Sequence, residues 1–375
     1  MDIFDMALAM TPRVGGRTAA HLIETLFSAE NIFSMPYEEL RQRTKLNEAV
    51  ALSIVRREGF RAAEYELRQC EKNNITPIAM VDMEYPSLLR ETHDPPYIIY
   101  TQGDRSLLTR NLVSMIGTRN MTSYGERATN MIVGELAEKI HNLVIVSGLA
   151  FGIDGAAHRA ALHHKVPTVA ILPNPLPGVT PAAHTQLARA IIDSGGALVT
   201  ELHSNSNAAG KAYIARNRII AGVSAATIVV ESGIKGGAIS TARIANSEGR
   251  VVAAVPGRIV DSAAMGCNKL IANRDAIMLN SAEDLIRELK WDDRRVENKT
   301  VAAPTPKISN FDEEQSLVLK QFCGSDPISI SQLESLTGLP VTKLGVILME
   351  LELMDAVKAI PGARYESLLS GNDAD

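Results

Sequence analysis

The chain has 375 residues, enough for two or three domains with their own cores. Its 46% hydrophobic and 22% charged residues are ordinary for a soluble protein, and its apolar runs are strand-sized, too short for a helical membrane span. The formal net charge of −5 is unevenly spread: residues 1–104 carry −5, residues 105–290 carry 19 Lys and Arg against 13 Asp and Glu for +6, and residues 309–366 carry −5. A polyanion, if one binds, is expected on the middle segment.

The opening MDIFDMALAM is acidic where a signal peptide would be basic. Together with three scattered cysteines (Cys70, Cys267, Cys323) that form no CxxC pair, this points to a reducing, cytoplasmic setting. The eight histidines show no metal-ligand spacing, and neither a metal nor a cofactor is expected. Residues 6–70 read as short helices. In TPRVGGRTAAHLIETLF a Gly-Gly turn leads into a helix with Ala19, Leu22, Ile23 and Leu26 on one face. Such a turn is compatible with a helix-hairpin-helix phosphate seat, although the acidic surroundings favour a helix pair that simply packs. The proline-containing stretch 74–104 reads as a connecting segment docked on the next domain.

From 105 to 290 one pattern repeats: an apolar run, a turn of Gly, Ser or Arg, then an amphipathic helix. VSMIGTR (113–119), LVIVSGLAFGID (143–154), TIVVESGIKGG (227–237) and VVAAVPG (251–257) share it. Near-continuous apolar strands alternating with helices predict a parallel sheet covered on both faces. Helices are expected over 124–141, with Ala128, Ile132, Leu136 and Ile140 inward, and over 237–248. The polar stretch 291–310 with its two prolines reads as a flexible linker. Beyond it, helix, helix, helix and a short hairpin over 311–368 predict a winged helix, and 369–375 reads as a disordered tail. The recognition helix of such a fold would be VTKLGVILMELELM, which has one lysine and two glutamates. A protein is therefore a better partner for it than duplex DNA.

Ligands of such sheets bind at the carboxyl ends of the strands. Those ends carry Gly117, Thr118 and Arg119, then Ser147 and Gly148, then Gly236 and Gly237. The segment GKAYIARNRIIAGVS (210–224) adds Lys211, Tyr213, Arg216, Asn217 and Arg218. Arginine forks bind phosphates, backbone N–H groups at glycine turns do the same, and an aromatic ring beside them suits a stacked base. No GxGxxG fingerprint is present, which disfavours a conventional dinucleotide site. SGIK (232–235) matches S-x-x-K without the companion motifs of serine acyl enzymes and carries no weight. Asp154 reads as a helix cap and His158 as a packing residue. An enzyme of the nucleotide or nucleoside-phosphate hydrolase type is the alternative, with Asp154, Glu201 or Glu231 as general acid or base. A scaffold with a vestigial pocket is a third reading.

GTRNMTSYG, SGLAFGIDGAAHRAAL, YIARNRIIAGVS, GGAISTA and VPG, in this order, closely resemble the DprA/Smf family of DNA-processing proteins. EYPSLLRETHDPPYIIYTQGD, GCNKLI and the terminal winged helix extend the likeness over nearly the whole chain. The resemblance implies an extended Rossmann-like core at 74–290 between a SAM-like or helix-hairpin-helix domain at 1–73 and the winged helix. It implies a homodimer without catalytic turnover that binds single-stranded DNA. Such a protein loads the recombinase RecA onto incoming strands in natural transformation and helps it displace single-strand-binding protein. By motif position, Arg119 stands for the family's G-S-R arginine and Ser147 and Gly148 for its S-G turn. Tyr213, Arg216 and Arg218 fall on the aromatic and the two arginines of F-P-x-R-N-R. The family's LGxGxDxxYP is replaced by ILPNPLPGVTP (171–181), and Phe-Pro by Tyr213-Ile214.

Overall fold

Alternation of apolar side chains to both sides of short strands organises most of this chain. The computed structural model describes residues 1–206, 210–291, 311–322, 328–354, 356–360 and 364–367. They belong to two units, Met1–Asp293 and Arg294–Asp375. The expected linker, apart from Trp291, and the expected tail lie outside the described residues.

Six helices lead the first unit: α1 (Ile3–Met10), α2 (Gly16–Leu26), α3 (Ala29–Ser34), α4 (Tyr37–Thr44), α5 (Glu48–Val55) and α6 (Phe60–Lys72). Side chains of Asp2, Ser28 and Asn47 accept backbone N–H groups at the starts of α1, α3 and α5, which fixes where these helices begin. Phe4, Phe33 and Phe60 meet edge-on. Ala19, Leu22 and Leu26 are buried, with Ile23 partly so, as the spacing predicts. The start of α2 is not open: Arg17 Nε donates to His93 O at 3.1 Å and pairs with Asp94 at 3.4 Å.

The sheet elements follow as β1 (Thr76–Ala79), α7 (Ser87–Arg90), β2 (Ile98–Gly103), β3 (Asn111–Ile116), α8 (Ser123–Lys139), β4 (Leu143–Ser147), α9 (Ile153–His163) and β5 (Thr168–Ile171). Then come α10 (Thr185–Asp193), β6 (Ala197–Thr200), α11 (Gly210–Val223), β7 (Ala226–Val229), α12 (Gly237–Ser247), β8 (Val251–Ala254), α13 (Met265–Ala272), β9 (Ile277–Met278) and α14 (Ala282–Leu289). The nine strands lie in the order β1-β2-β6-β5-β4-β3-β7-β8-β9. From β6 to β9 every pairing is parallel, while β2 runs antiparallel to both β1 and β6. The stretch 74–104, expected to dock as a connection, thus contributes two strands to the sheet.

Leu112 and Ile116 of β3, with Val144 and Val146 of β4, join one buried cluster with α11 and α12. Val113, Met115 and Ile145 point the other way into a second cluster with α8, α9 and α14. Burial on both faces is what makes these strands read as continuous apolar runs. The first cluster also takes in Met6, Leu22 and Ile32, so the leading helices share a core with the sheet. Tyr97, just before β2, donates to Asp5 Oδ1 at 2.5 Å across that contact.

The second unit contains α15 (Glu313–Leu319), β10 (Ile328–Ser329), α16 (Ile330–Thr337), α17 (Val341–Leu353), β11 (Val357–Ile360) and β12 (Arg364–Ser367). Its strands form a sheet in the order β10-β12-β11. Leu333, Leu344, Leu348 and Leu351 build its own small core. Three helices and a terminal hairpin are the winged helix expected from sequence. Among the described residues, no helix is long and apolar enough to cross a membrane.

Candidate nucleic-acid interface

Strand β3 has β4 on one side and β7 on the other. Chain order reverses there, and the diverging connections leave a crevice at the carboxyl ends. It is a cleft of about 310 Å³, lined by the turn after β3 (Gly117, Thr118, Arg119), by Ala150 and Asp154, by Arg216, Asn217 and Ile220 of α11, and by the turn 232–237 with Ala238 and Thr241.

The turn after β3 is held from beneath by Glu231. Its carbonyl accepts Thr118 N–H at 2.7 Å. Its carboxylate accepts Thr122 N–H at 2.9 Å and the Thr122 hydroxyl at 2.5 Å. Thr122 in turn caps α8. Gly125 in the first turn of α8 sits so close to this carboxylate that a methyl there would run into Glu231 Oε2. The turn after β4 packs against the same loop: Ile153 N–H donates to Thr118 O at 3.1 Å. Gly152 starts α9 at φ +76°, and a Cβ there would strike Thr118 O. With its main chain pinned on both sides, the loop projects Arg119 outward, and the exposed guanidinium lies 5.7 Å from the centre of the Tyr213 ring.

Arg216 is buried, at 5% exposure. Its Nη1 donates to Gly148 O at 2.6 Å and also to Ile171 O, joining α11 to the ends of β4 and β5. Asp154 shares the cleft wall. Burial pushes the Asp154 carboxyl above its ordinary range, against the pull of Arg216 and of the nearby Ala150 and Gly148 amides. Burial likewise lowers Arg216, with Asp154 acting in the opposite direction. One sequence reading needs correction here. Gly152, not Asp154, is the N-cap of α9; Asp154 lies inside the first turn and faces the cleft. Arg216 and Arg218 both lie inside α11.

Of the residues singled out from sequence, Gly117, Thr118, Arg119, Arg216, Asn217, Gly236 and Gly237 line the cleft together. Tyr213 stands at its mouth through Arg119. Gly148 lies behind Arg216, and Ser147 Oγ lies 2.6 Å from Met115 O as a buried strut. Lys211 is exposed and not part of the lining. Arg218 turns away and pairs with Glu201 at 2.5 Å and Asp94 at 3.5 Å. Ser232, Gly233 and Thr241 line the cleft without having been anticipated; Ser232 was visible in SGIK but only under the wrong chemistry. His158 is the packing residue expected: its Nδ1 lies 2.7 Å from Thr168 Oγ1. The Thr168 hydroxyl already donates to Ile145 O, so the ring keeps its proton on Nδ1. Burial holds its pKa down, at about 3.

A switch-point crevice with an arginine-tipped glycine turn, on a sheet wound to both sides, defines a Rossmann-like domain. The chain belongs to the DprA/Smf family of DNA-processing proteins. Residues 76–290 match the family model of DNA recombination-mediator protein A, and residues 301–363 that of the DprA winged helix domain. The chain is 32% identical over 284 residues to Protein Smf of Escherichia coli K12, covering 74% of each. It is 36% identical over 219 residues to DNA processing protein DprA of Bacillus subtilis, covering 58% of this chain and 72% of that one. Among solved structures, DprA of Streptococcus pneumoniae superposes with a TM-score of 0.66 at 26% identity, over 77% of this chain and 98% of that one. DprA of Helicobacter pylori, described for its single-stranded DNA binding mode, gives 0.52 at 27% identity over 58% and 96%.

Proposed function

We propose that this protein binds single-stranded DNA in the switch-point cleft and delivers it to the recombinase RecA during transformation or homologous recombination. The observation that carries the reading is the Arg119–Tyr213 pair at the cleft mouth: a forked cation and an aromatic face side by side. Phosphates sit on Arg119 and on the backbone amide of Gly237 at the start of α12, the Gly236 amide being engaged with Gly233 O, and a base stacks on Tyr213. The single-strand binding described for the Helicobacter pylori relative supports it. In this reading the protein acts as a cytoplasmic homodimer and turns nothing over. Glu231 and Glu201, two of the candidate acid–base groups, are engaged with Thr122 and Arg218.

Fluorescence anisotropy with a labelled single strand of ~20 nucleotides, longer than one typical site, tests this. Arg119→Ala is expected to raise Kd by about tenfold, the loss of one charged hydrogen-bonding group. It should also flatten the salt slope by about 0.7. Unchanged affinity in that variant, or tight binding of a mononucleotide with DNA indifferent to the substitution, would sink the proposal.

The winged helix fits a protein partner. Val346 and Met349 stand exposed on α17, Lys343 is paired with Glu314, and Glu350 accepts from Gln315. A 305–375 fragment, built around its own core, is expected to leave a labelled duplex unbound at moderate salt. Tight duplex binding by that fragment would refute this assignment.

A further inference from the structure

The floor of the cleft is unlike a phosphate seat. A phosphate calls for donors and positive charge, and a buried carboxylate facing it would repel it. Yet Asp154, 7% exposed, forms part of the wall. The cation beside it, Arg216, already donates Nη1 to Gly148 O and Ile171 O. Arg119, by contrast, is exposed at the mouth. Between floor and mouth the walls carry the apolar side chains of Ile116, Ile220 and Ala238, with the amide of Asn217 among them. The Asp154 carboxyl already accepts the Ala150 and Gly148 amides and has oxygen sites for a further donor, and an amide both donates and accepts. Apolar flanks with these two groups suit a flat, neutral heterocycle bearing an N–H. The volume of about 310 Å³ lies at the small end of ligand pockets, room for one such group rather than a stack.

We propose that the cleft receives one unstacked nucleobase of the bound strand, with Asp154 accepting an N–H from its edge while the flanking phosphates remain at the rim on Arg119. This deepens the single-strand reading above and rests on it. Every natural base offers an N–H on its pairing edge, so the pocket takes all four with little preference. Holding a base between apolar walls and reading its edge by hydrogen bonds is how proteins accommodate an extruded nucleotide.

The test compares two strands of equal length and charge, one natural and one with abasic sugars throughout, on wild type, Asp154→Asn and Asp154→Ala. Wild type is expected to bind the abasic strand about tenfold more weakly, the scale of lost base contacts. Both variants should narrow that ratio. Loss of a negative charge by itself would tighten binding of either strand, so the ratio, not the affinity, reads the contact. Asp154→Asn keeps the shape of the side chain and guards against a folding defect. Equal binding of the two strands by wild type overturns the inference while leaving the single-strand reading intact. A ratio unchanged in both variants also overturns it and leaves stacking on Tyr213 as the source of base preference. Failure of wild type to bind either strand overturns the single-strand reading and this one with it.

Discussion

Arg216→Ala is expected to lower the stability of the first unit by about 3–5 kcal/mol, the cost of breaking a buried charged network from one side. The side chain is 5% exposed and donates to two carbonyls from different strand ends. Its removal leaves Gly148 O and Ile171 O without that donor, opens a cavity beneath α11, and deprives Asp154 of its favourable charge. The defect has a signature in pH. Asp154 already sits above the ordinary carboxyl range because of burial, and losing Arg216 raises it further. A carboxyl whose folded pKa is raised takes up a proton on folding, so its unfavourable contribution grows as pH rises from the unfolded value through the folded one. The loss in Arg216→Ala should therefore be larger at pH 8 than at pH 5. Urea unfolding at the two pH values checks this; equal losses would show that Asp154 plays no part. Arg216→Lys should recover part of the loss, because both carbonyls accept from the one nitrogen Nη1 and an ammonium also carries several N–H donors, whereas the Nε contact to Asn217 is lost. Arg119→Ala, at an exposed position, should change DNA affinity with hardly any change in stability. The contrast separates the arginine that builds the cleft from the one that uses it.

How much of this was legible follows from the same geometry. β3, β4, β7 and β8 stood out because strands buried on both faces must be apolar throughout, and the turns after them because anion seats need glycine. β1 and β2 did not, since TPIA and IIYTQG are short and lie among prolines that read as connection. The cation cluster of GKAYIARNRIIAGVS was visible, but its partition was not drawn from it. Arg216 and Arg218 are two residues apart on a helix and cannot face the same way, whereas Tyr213, Arg216 and Asn217 stand at spacings of three and four and can. Helical periodicity alone would have sent Arg218 elsewhere; which partners it meets, Glu201 and Asp94, needed the fold. Asp154 was missed as cleft wall for another reason. An Asp near a helix start has two roles, cap or first-turn residue, and the choice fell to the positive φ of Gly152.

Glu231 provides the sharpest separation of a DNA-binding cleft from an enzyme's. It is 3% exposed, and its carboxylate accepts both the backbone and the hydroxyl of Thr122. Glu231→Ala is expected to cost about 2 kcal/mol, because two hydrogen bonds to a charged, buried acceptor are lost, although their donors on exposed Thr122 can turn to water. The loop carrying Arg119 should loosen with it. Removing a negative charge near an anion site would by itself tighten DNA binding. A fall in affinity, expected at about tenfold if the Arg119 contact is lost with the loop, therefore reads positioning and cannot be electrostatic. The salt slope should fall along with it, since the contact itself is lost. Glu231→Gln, which keeps one acceptor oxygen but turns an amide toward the second donor, should lie between wild type and alanine in both stability and affinity. A general base gives the opposite pattern: Glu231→Gln would bind nucleotide normally and lose turnover outright. Thermal unfolding, anisotropy and a nucleotide-hydrolysis assay on the same two variants distinguish these outcomes. Normal DNA binding combined with abolished hydrolysis would place the chemistry on Glu231 and overturn its role as the anchor of the Arg119 loop.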